Sequence, residues 1–410
     1  MNAVLPQRLT VFAPDIPFPP TRGGRADVWR RLQALQRLGV HVQLVCFYDD
    51  HAAGRPRAEH RAEVLRATSS LHVYPIAKGL WPTVTRLARI ARAPWHVVCR
   101  TLRGAPLQAL LDEIRAFDPD LIWSEGPWCG GNALAAAESL DVPLIYRSHN
   151  VEHVYMRRQA RAARRPRDRL AWTIACFGLR RFELDLLRRA GWIFDISADD
   201  VAAWQANGIR NISWLPPLAE AALTGGTAAP RAGEDVVFLG NLTTPNNIRG
   251  VEWLVRDIRP LVLAQRPGTR FLVAGSNPGP HVHGLCRATG VTLLADPPDA
   301  GAVYAAARVL VNPVRTGGGT QVKAIEMLMT QAPVVSARQG TQGLPPEVKR
   351  LFRVADDAAG FARQIVEAIE SGPVRSPERD KARELFGIAG LERALRALPR
   401  DLTRRPGGRA

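Results

Sequence analysis

The stretch Arg8–Phe47, RLTVFAPDIPFPPTRGGRADVWRRLQALQRLGVHVQLVCF, decides the fold. Arg8–Pro14 is a short apolar run of strand type. Ala26–Gly39 then repeats apolar residues at helical spacing, and Gly39 supplies the stop. His41–Phe47 is apolar and β-rich again. Strand, helix and strand in quick succession make a βαβ unit, which requires a parallel sheet.

The same texture continues outward. DLIWSEG (Asp120–Gly126), PLIYRSH (Pro143–His149) and WIFDIS (Trp192–Ser197) are further strand candidates, each followed by a helical pattern. Leu215–Asp235 breaks the alternation with Pro, Gly, Ala and Thr and reads as a linker. A second series starts at DVVFLGN (Asp235–Asn241). It runs through helix Gly250–Gln265, strands Arg270–Gly275 and Val291–Asp296, helix Ala300–Arg308, strand Val309–Val314, helix Thr320–Met329 and strand Ala332–Ala337. The expected architecture is α/β: a Rossmann-like doubly wound domain over residues 1–215, a linker over 216–234, and a second such domain over 235–375. A helical tail over 376–410 is expected to pack back on the first domain. Ligands in such sheets lie beyond the carboxyl ends of the strands, so two domains facing each other across a cleft would place the chemistry in the loops after strands.

Bulk properties narrow the class. With 410 residues and 46% hydrophobic content, the chain is long enough for two cores. Its net charge of +17 favours anionic partners. The cysteines (Cys46, Cys99, Cys129, Cys176 and Cys286) are scattered, odd in number and lack a C-x-x-C pair. That argues against a disulfide framework or a cysteine zinc site and suits a reducing cytoplasm. The N-terminus has no signal-peptide pattern, and no apolar run approaches the roughly 18 residues of a membrane span, so a soluble or peripheral protein is expected. No pattern of a nucleic-acid-reading module is present, and nucleic acid is not an expected partner.

Four loops after strands carry candidate chemistry. In the first, Gly23 and Gly24 follow a strand and open a helix between Arg22 and Arg25, where helix amides favour an anion; an ordinary glycine turn is the alternative. The third loop along the chain, VNPVRTGGGTQVKAIEML (Val311–Leu328), carries the strongest signal. Gly317, Gly318 and Gly319 cost chain entropy but let amides face a diphosphate, and Thr320 is placed to cap the helix. Glu326 can accept a ribose diol or lie on a solvated face; Lys323 is a cation or its i,i+3 partner. Between these, FLGNLTTPNNIRGVEWL (Phe238–Leu254) offers Asn241, Asn246 and Arg249. Last, Gly340 and Gly343 in SARQGTQGLP (Ser336–Pro345) would allow close approach to a base or ribose.

His149-Asn150-Val151-Glu152-His153 spells H-x-x-E-H, a zinc-peptidase pattern. The strand PLIYRSH ends at or near His149, however, which spoils the helical i,i+4 geometry that zinc would need. Asp118-Pro119-Asp120 spells D-x-D but precedes a strand and reads as a turn. Asp199 and Asp200 read as helix caps.

Taken together, PPTRGG, SHNVEH, FLGN with PNN and GVEWL, and GGGTQVKAIEML followed by APVVSARQGTQGL resemble the GT-B glycosyltransferases of family four, glycosyltransferase group one. The subgroup with a G-x-G-T-x-x-K-x-x-E loop is the nearest likeness. The resemblance implies a nucleotide-sugar donor on the C-terminal domain, an acceptor (a glycan or a lipid-linked one) on the N-terminal domain, retention of anomeric configuration, and no bound metal or cofactor. It implies a place in cell-surface polysaccharide synthesis. Glu326 matches the second acid of the family's paired-acid motif and would hold the ribose; Gly318 stands where the first acid usually does. The usual diphosphate pair is altered to Gly240-Asn241, with Arg249 or Lys323 as the replacement cation. Gly23 and Gly24 match the phosphate-proximal glycines, and His149 matches a histidine near the transferred sugar. A GT-B nucleotide-sugar epimerase and a degenerate non-catalytic binding protein are the alternatives.

Two arginine-rich stretches with aromatics, Lys78–Gly104 and Arg157–Arg189, fall in the first domain. They suggest docking on an anionic membrane surface, the inner face of the cytoplasmic membrane, with solvated helix faces as the competing reading.

Overall fold

The computed structural model describes residues 5–20, 23–49, 55–77, 79–90, 93–163, 165–219, 235–317 and 319–403. The expected linker lies outside the described residues from position 220 to 234, as do Arg22 and Gly318. Two compact units emerge: Met1–Leu218 together with Ile388–Ala410, and Ala219–Gly387.

The first unit is built on seven parallel strands: β1 (Arg8–Ala13), β2 (His41–Asp49), β3 (Ser70–Ile76), β4 (Leu121–Glu125), β5 (Leu144–Ser148), β6 (Trp192–Asp195) and β7 (Ile212–Trp214). Their order is β3-β2-β1-β4-β5-β6-β7. In β1, Val11 pairs with Leu44 of β2 and Trp123 of β4. Alternate side chains serve opposite faces, as the pleat requires. Leu9 and Val11 join Trp29, Leu32 and Leu35 of helix Gly23–Arg37. Phe12 joins Leu110, Ile114 and Tyr146 on the other side. Helices thus cover both faces, which is why the strands read as continuous apolar runs. The chain reverses direction across the sheet between β1 and β4, and the crevice beyond their carboxyl ends is where such sheets bind ligands.

The second unit repeats the plan with β8 (Val236–Leu239), β9 (Phe271–Gly275), β10 (Thr292–Ala295), β11 (Val309–Asn312), β12 (Val334–Ser336) and β13 (Arg353–Val354). Their order is β10-β9-β8-β11-β12-β13, which puts the reversal between β8 and β11. Its core gathers Phe238, Val251, Trp253, Ile258, Val273, Phe361 and Ile365. The helix expected from Gly250 starts earlier, at Pro245, and reaches Gln265 through a π-turn at Leu254–Ile258. Pro260 lacks the N–H that a regular α-turn would use there, and the widened turn absorbs the missing bond.

Three expectations are corrected. The tail returns to the first unit only from Ile388, not from residue 376. Helix Pro377–Leu385 stays with the second unit because Arg379 is buried there, donating to the carbonyls of Leu328 (3.2 Å), Met327 (3.3 Å) and Ala332 (2.8 Å). Helix Ala198–Ala206 is capped by Ser197, whose hydroxyl accepts from the Asp200 amide, so Asp199 and Asp200 occupy the first turn instead. Helix Val322–Leu328 begins after Gln321, leaving Thr320 one position outside the cap.

Candidate active site

In the first unit the strand-end loops hold a buried charge network that the sequence reading missed. Helix Gly23–Arg37 starts with Gly23 and Gly24 and places Asp27 and Arg31 one turn apart on its buried face. Arg31 Nη2 donates to Asp27 Oδ2 (2.8 Å) and its Nε to Glu125 Oε1 (3.1 Å). Glu125, the last residue of β4, also accepts from Trp123 Nε1 (2.9 Å). Arg147, in β5, donates to Asp27 Oδ2 (2.9 Å) and to the Leu215 carbonyl (2.7 Å). Two carboxylates and two guanidiniums thus compensate one another out of water, the condition under which buried charge is tolerated. Burial pushes Asp27 up, but Arg147 and Arg31 outweigh it and hold the carboxyl well below its ordinary range. Glu125 is likewise pushed up by burial and brought below its ordinary value by Arg31, the His149 hydrogen bond and Arg147.

His149 is the residue immediately after β5, and its side chain is 19% exposed. Its Nε2 lies 2.8 Å from Glu125 Oε2, and its Nδ1 3.7 Å from Asp27 Oδ2. Because Glu125 is held ionised, Nε2 carries the proton and donates. The ring is therefore fixed by a carboxylate that is itself fixed. His153 belongs to the first turn of helix Glu152–Ala162 and reaches a different acid, Glu183, with Nδ1 2.5 Å from Oε2. Glu183 also accepts from the Glu152 and His153 amides (2.9 and 3.2 Å) and so serves the helix start. The two histidines of the H-x-x-E-H spelling are held by different carboxylates. Among the described residues, no cluster of three or more His, Cys, Asp or Glu side chains is placed to hold a metal ion. Asp120 Oδ2 accepts from the Gln7 and Arg8 amides (2.7 and 2.9 Å), and Asp118 is a left-handed helix cap, so the D-x-D segment is a turn.

In the second unit, the loops after β8 and β11 converge on the pair Asn246-Asn247 at the start of helix Pro245–Trp253. Arg249 Nη2 donates to Asn246 Oδ1 (2.5 Å) and lies 3.4 Å from the Thr316 hydroxyl. Lys323 Nζ donates to Asn247 Oδ1 (2.8 Å) and stands 4.7 Å over the Phe238 ring. Each asparagine thus holds one cation. Burial brings the Lys323 ammonium down to about 7. Gly317 (φ 138°) and Gly319 (φ 75°) take up left-handed conformations that disfavour a side chain, and a Cβ on Gly317 would press to 3.1 Å from Asn246 Nδ2. Asn241 turns inward: its Oδ1 accepts from the Thr243 amide and hydroxyl (2.9 and 2.6 Å) and shapes its own loop. Glu326 lies on helix Val322–Leu328, and its Oε2 accepts from the Tyr304 hydroxyl at 3.5 Å.

At Gly340 a Cβ would lie 2.3 Å from both Asn312 Nδ2 and Ser336 Oγ, so its missing side chain makes room for the protein's own groups. A concavity lined by Asp235, Arg266, Thr269 and Arg308 opens at the amino ends of β8, β9 and β11, opposite the strand ends where such sheets bind ligands.

Comparison with known proteins bears on these loops. A family model described as glycosyl transferase 4-like domain matches residues 22–216, and one described as glycosyl transferases group 1 matches residues 233–371. A curated relative, an uncharacterized 44.6 kDa protein in the cps region of Klebsiella pneumoniae, is 24% identical over 378 residues, covering 88% of this chain and 90% of its own. Among solved structures, Anabaena HepE in complex with UDP superposes with a TM-score of 0.62 at 14% identity, covering 95% of this chain and 98% of that one. Sucrose-phosphate synthase from Thermosynechococcus elongatus gives 0.56 at 17% identity, covering 96% and 94%. These likenesses show the GT-B fold, two Rossmann-like domains in one chain.

Proposed function

This chain belongs to the group 1 glycosyl transferases of GT-B fold and is a transferase; from that premise we propose that it moves a sugar from a nucleotide-sugar donor to a glycan or lipid-linked acceptor in polysaccharide synthesis. The observation that carries the donor half is the paired cation site, with Arg249 on Asn246 and Lys323 on Asn247 beside Gly317 and Gly319. Two cations beside a glycine turn suit a diphosphate, and Glu326, on the same helix as Lys323, suits a ribose diol. The solved HepE complexes with UDP and UDP-glucose support a donor of this class, and the cps-region relative supports a role in polysaccharide synthesis.

In this reading the bond from the anomeric carbon to the diphosphate oxygen breaks as the acceptor oxygen bonds to that carbon from the same face. The acceptor proton passes to the departing phosphate oxygen. Arg249 and Lys323 stabilise the negative charge that grows on the diphosphate. Diphosphate binding also favours the charged form of Lys323, which burial alone disfavours. His149, fixed by Glu125, bonds a hydroxyl of the transferred sugar.

A thermal-shift screen against UDP, GDP, TDP and ADP, followed by product analysis with the matching donors, tests the assignment. One nucleotide should stabilise the protein, and a glycosylated acceptor of retained configuration should form. Release of an epimerised sugar without transfer would make the chain an epimerase, and stabilisation without turnover would make it a binding protein. Glu326→Ala should raise the donor KM about tenfold or more, the value of a charge-assisted diol contact; unchanged donor affinity would remove Glu326 from the ribose.

A further inference from the structure

Helix Leu80–Leu87, in the first unit, buries none of its residues. Leu80 and Trp81 are each 78% exposed, and Val84 and Leu87 about half. Their spacing puts all four on one face, with Thr83 and Arg86 behind them. Single exposed apolar residues are ordinary, but an apolar stripe left largely open along a helix that buries none of its residues marks an interaction surface. A second stripe has the same i, i+4, i+7 spacing. Leu170 (61% exposed), Ile174 and Phe177 (58%) lie along helix Pro166–Cys176 and its cap. Helix Trp95–Arg100 packs against both stripe-bearing helices, which joins them into one region of the unit.

Charge identifies the occupant. Arg157, Arg161, Arg165, Arg167 and Arg169 are all exposed on or beside the second helix, and Asp168 is the lone acid between Arg157 and Arg169. A second copy presenting the same face would set arginine against arginine. An anionic bilayer instead meets arginines with headgroups and accepts Trp and Leu at the acyl boundary, the usual pattern of a helix lying in the membrane plane. Among the described residues no helix is long and apolar enough to cross a bilayer, so the contact is with its surface.

We infer that the exposed stripes of helices Leu80–Leu87 and Pro166–Cys176, with the arginines beside them, form a docking surface for an anionic phospholipid bilayer. Of the three aromatics in the Arg157–Arg189 stretch, Phe177 belongs to this surface, whereas Trp172 and Phe182 pack partly buried in the interior. None of the residues of this surface is assigned to donor or sugar, so it adds a place of work to the transfer reading and does not depend on it.

The test is co-sedimentation of the full-length chain with vesicles of phosphatidylcholine alone and of phosphatidylcholine with phosphatidylglycerol. Binding to the anionic vesicles should be about tenfold stronger and should weaken with salt. The double variant Leu80→Ser, Trp81→Ser should lose about tenfold in binding with its melting temperature unchanged, and Leu170→Ser, Phe177→Ser should do the same. Equal binding to both vesicle types, no binding to either, or serine variants that bind like the parent would each overturn the proposal. So would a dimer in light scattering that the serine variants dissolve, which would give the surface to a second copy. No turnover is measured, so failure here leaves the transfer reading standing.

Discussion

Glu125 is buried at the end of β4 yet keeps its charge, because Arg31, Arg147 and His149 surround it. Its bond to His149 Nε2 is what turns a histidine at a strand end into an oriented group. Glu125→Gln should lower kcat about 10- to 100-fold, the effect of a small misplacement at a reacting centre, while the donor KM changes less than twofold. Steady-state kinetics beside a melting curve checks this, and an unchanged kcat would mean the ring is oriented by something else. A second residue-scale prediction concerns pH. Burial, and then Glu183, raise the Glu152 carboxyl from an ordinary 4.5 to about 7, and burial likewise raises Asp195 to about 7. Between these values the folded protein holds more protons than the unfolded chain. The stability such a group contributes is therefore complete below its unfolded pKa and is lost as pH rises through 7. Asp27 and Glu125 run the other way, but their lowered pKa values move that loss to more acidic pH. Glu152→Gln should thus stabilise the protein by about 3 kcal/mol at pH 7.5, with the gain vanishing near pH 4, as melts at the two pH values would show. The place of His149 at the end of a strand was legible in the sequence, but the network around it was not, since Arg31 and Glu125 stand 94 positions apart and Asp27 and Arg147 stand 120 apart. One signal was available: Glu125 and Arg147 are charged residues inside apolar strands, where only a paired charge can be buried.

At the scale of elements, helix Val322–Leu328 is held from both ends. Arg379 and Arg383 donate to the carbonyls of Leu328, Thr330 and Ala332, at its C-terminus and just past it, which also suits the negative end of the helix dipole. Near its N-terminus Lys323 reaches across to Asn247 on another helix. This packing desolvates Lys323 and brings its ammonium to about 7, so the free protein loses that cation as pH rises above neutrality. A diphosphate favours the charged form, and binding above pH 7 must therefore take up a proton. The affinity for the stabilising nucleoside diphosphate should fall by up to about tenfold per pH unit above 7. Lys323→Arg should flatten that slope. Titration calorimetry in two buffers of different ionisation enthalpy measures the proton directly; no uptake at pH 8 would remove Lys323 from the phosphates. The glycine turn and this helix were readable because three successive glycines are costly anywhere else. β3, β7 and β13 were not. β3 is a half-buried edge strand containing Pro75, so it lacks a continuous apolar run, and β7 and β13 are too short to show a pattern. What surrounds Gly340 and Gly317 was also illegible, since both are glycines after strands and only the packing shows that the first closes on Asn312 and Ser336 and the second on Asn246.

For the whole molecule, two βα series separated by a change of texture were enough to indicate two Rossmann-like sheets. The limit of the returning tail was not, because helices Pro377–Leu385 and Ile388–Arg396 are both short and arginine-rich and differ in what their buried faces meet. The first unit is consequently discontinuous: its second piece begins only after the whole second unit has been made. That piece contributes Leu391, Leu395 and Leu398 to the same core cluster as Trp29, Leu32 and Trp123, and Trp29 and Leu32 come from the helix that carries Asp27 and Arg31. Leu391 and Leu395 are fully buried, so truncating either opens a cavity that the surrounding sheet and helix cannot wholly close. Leu391→Ala should destabilise the first unit by about 2–5 kcal/mol while leaving the core of the second unit untouched. Differential scanning calorimetry with and without the stabilising nucleotide separates the two: the nucleotide should raise the transition of the second unit by the same amount in parent and variant, and the variant should lower only the other transition. A single transition lowered as a whole, with the nucleotide shift lost, would mean that the two units melt as one body and that the tail supports both.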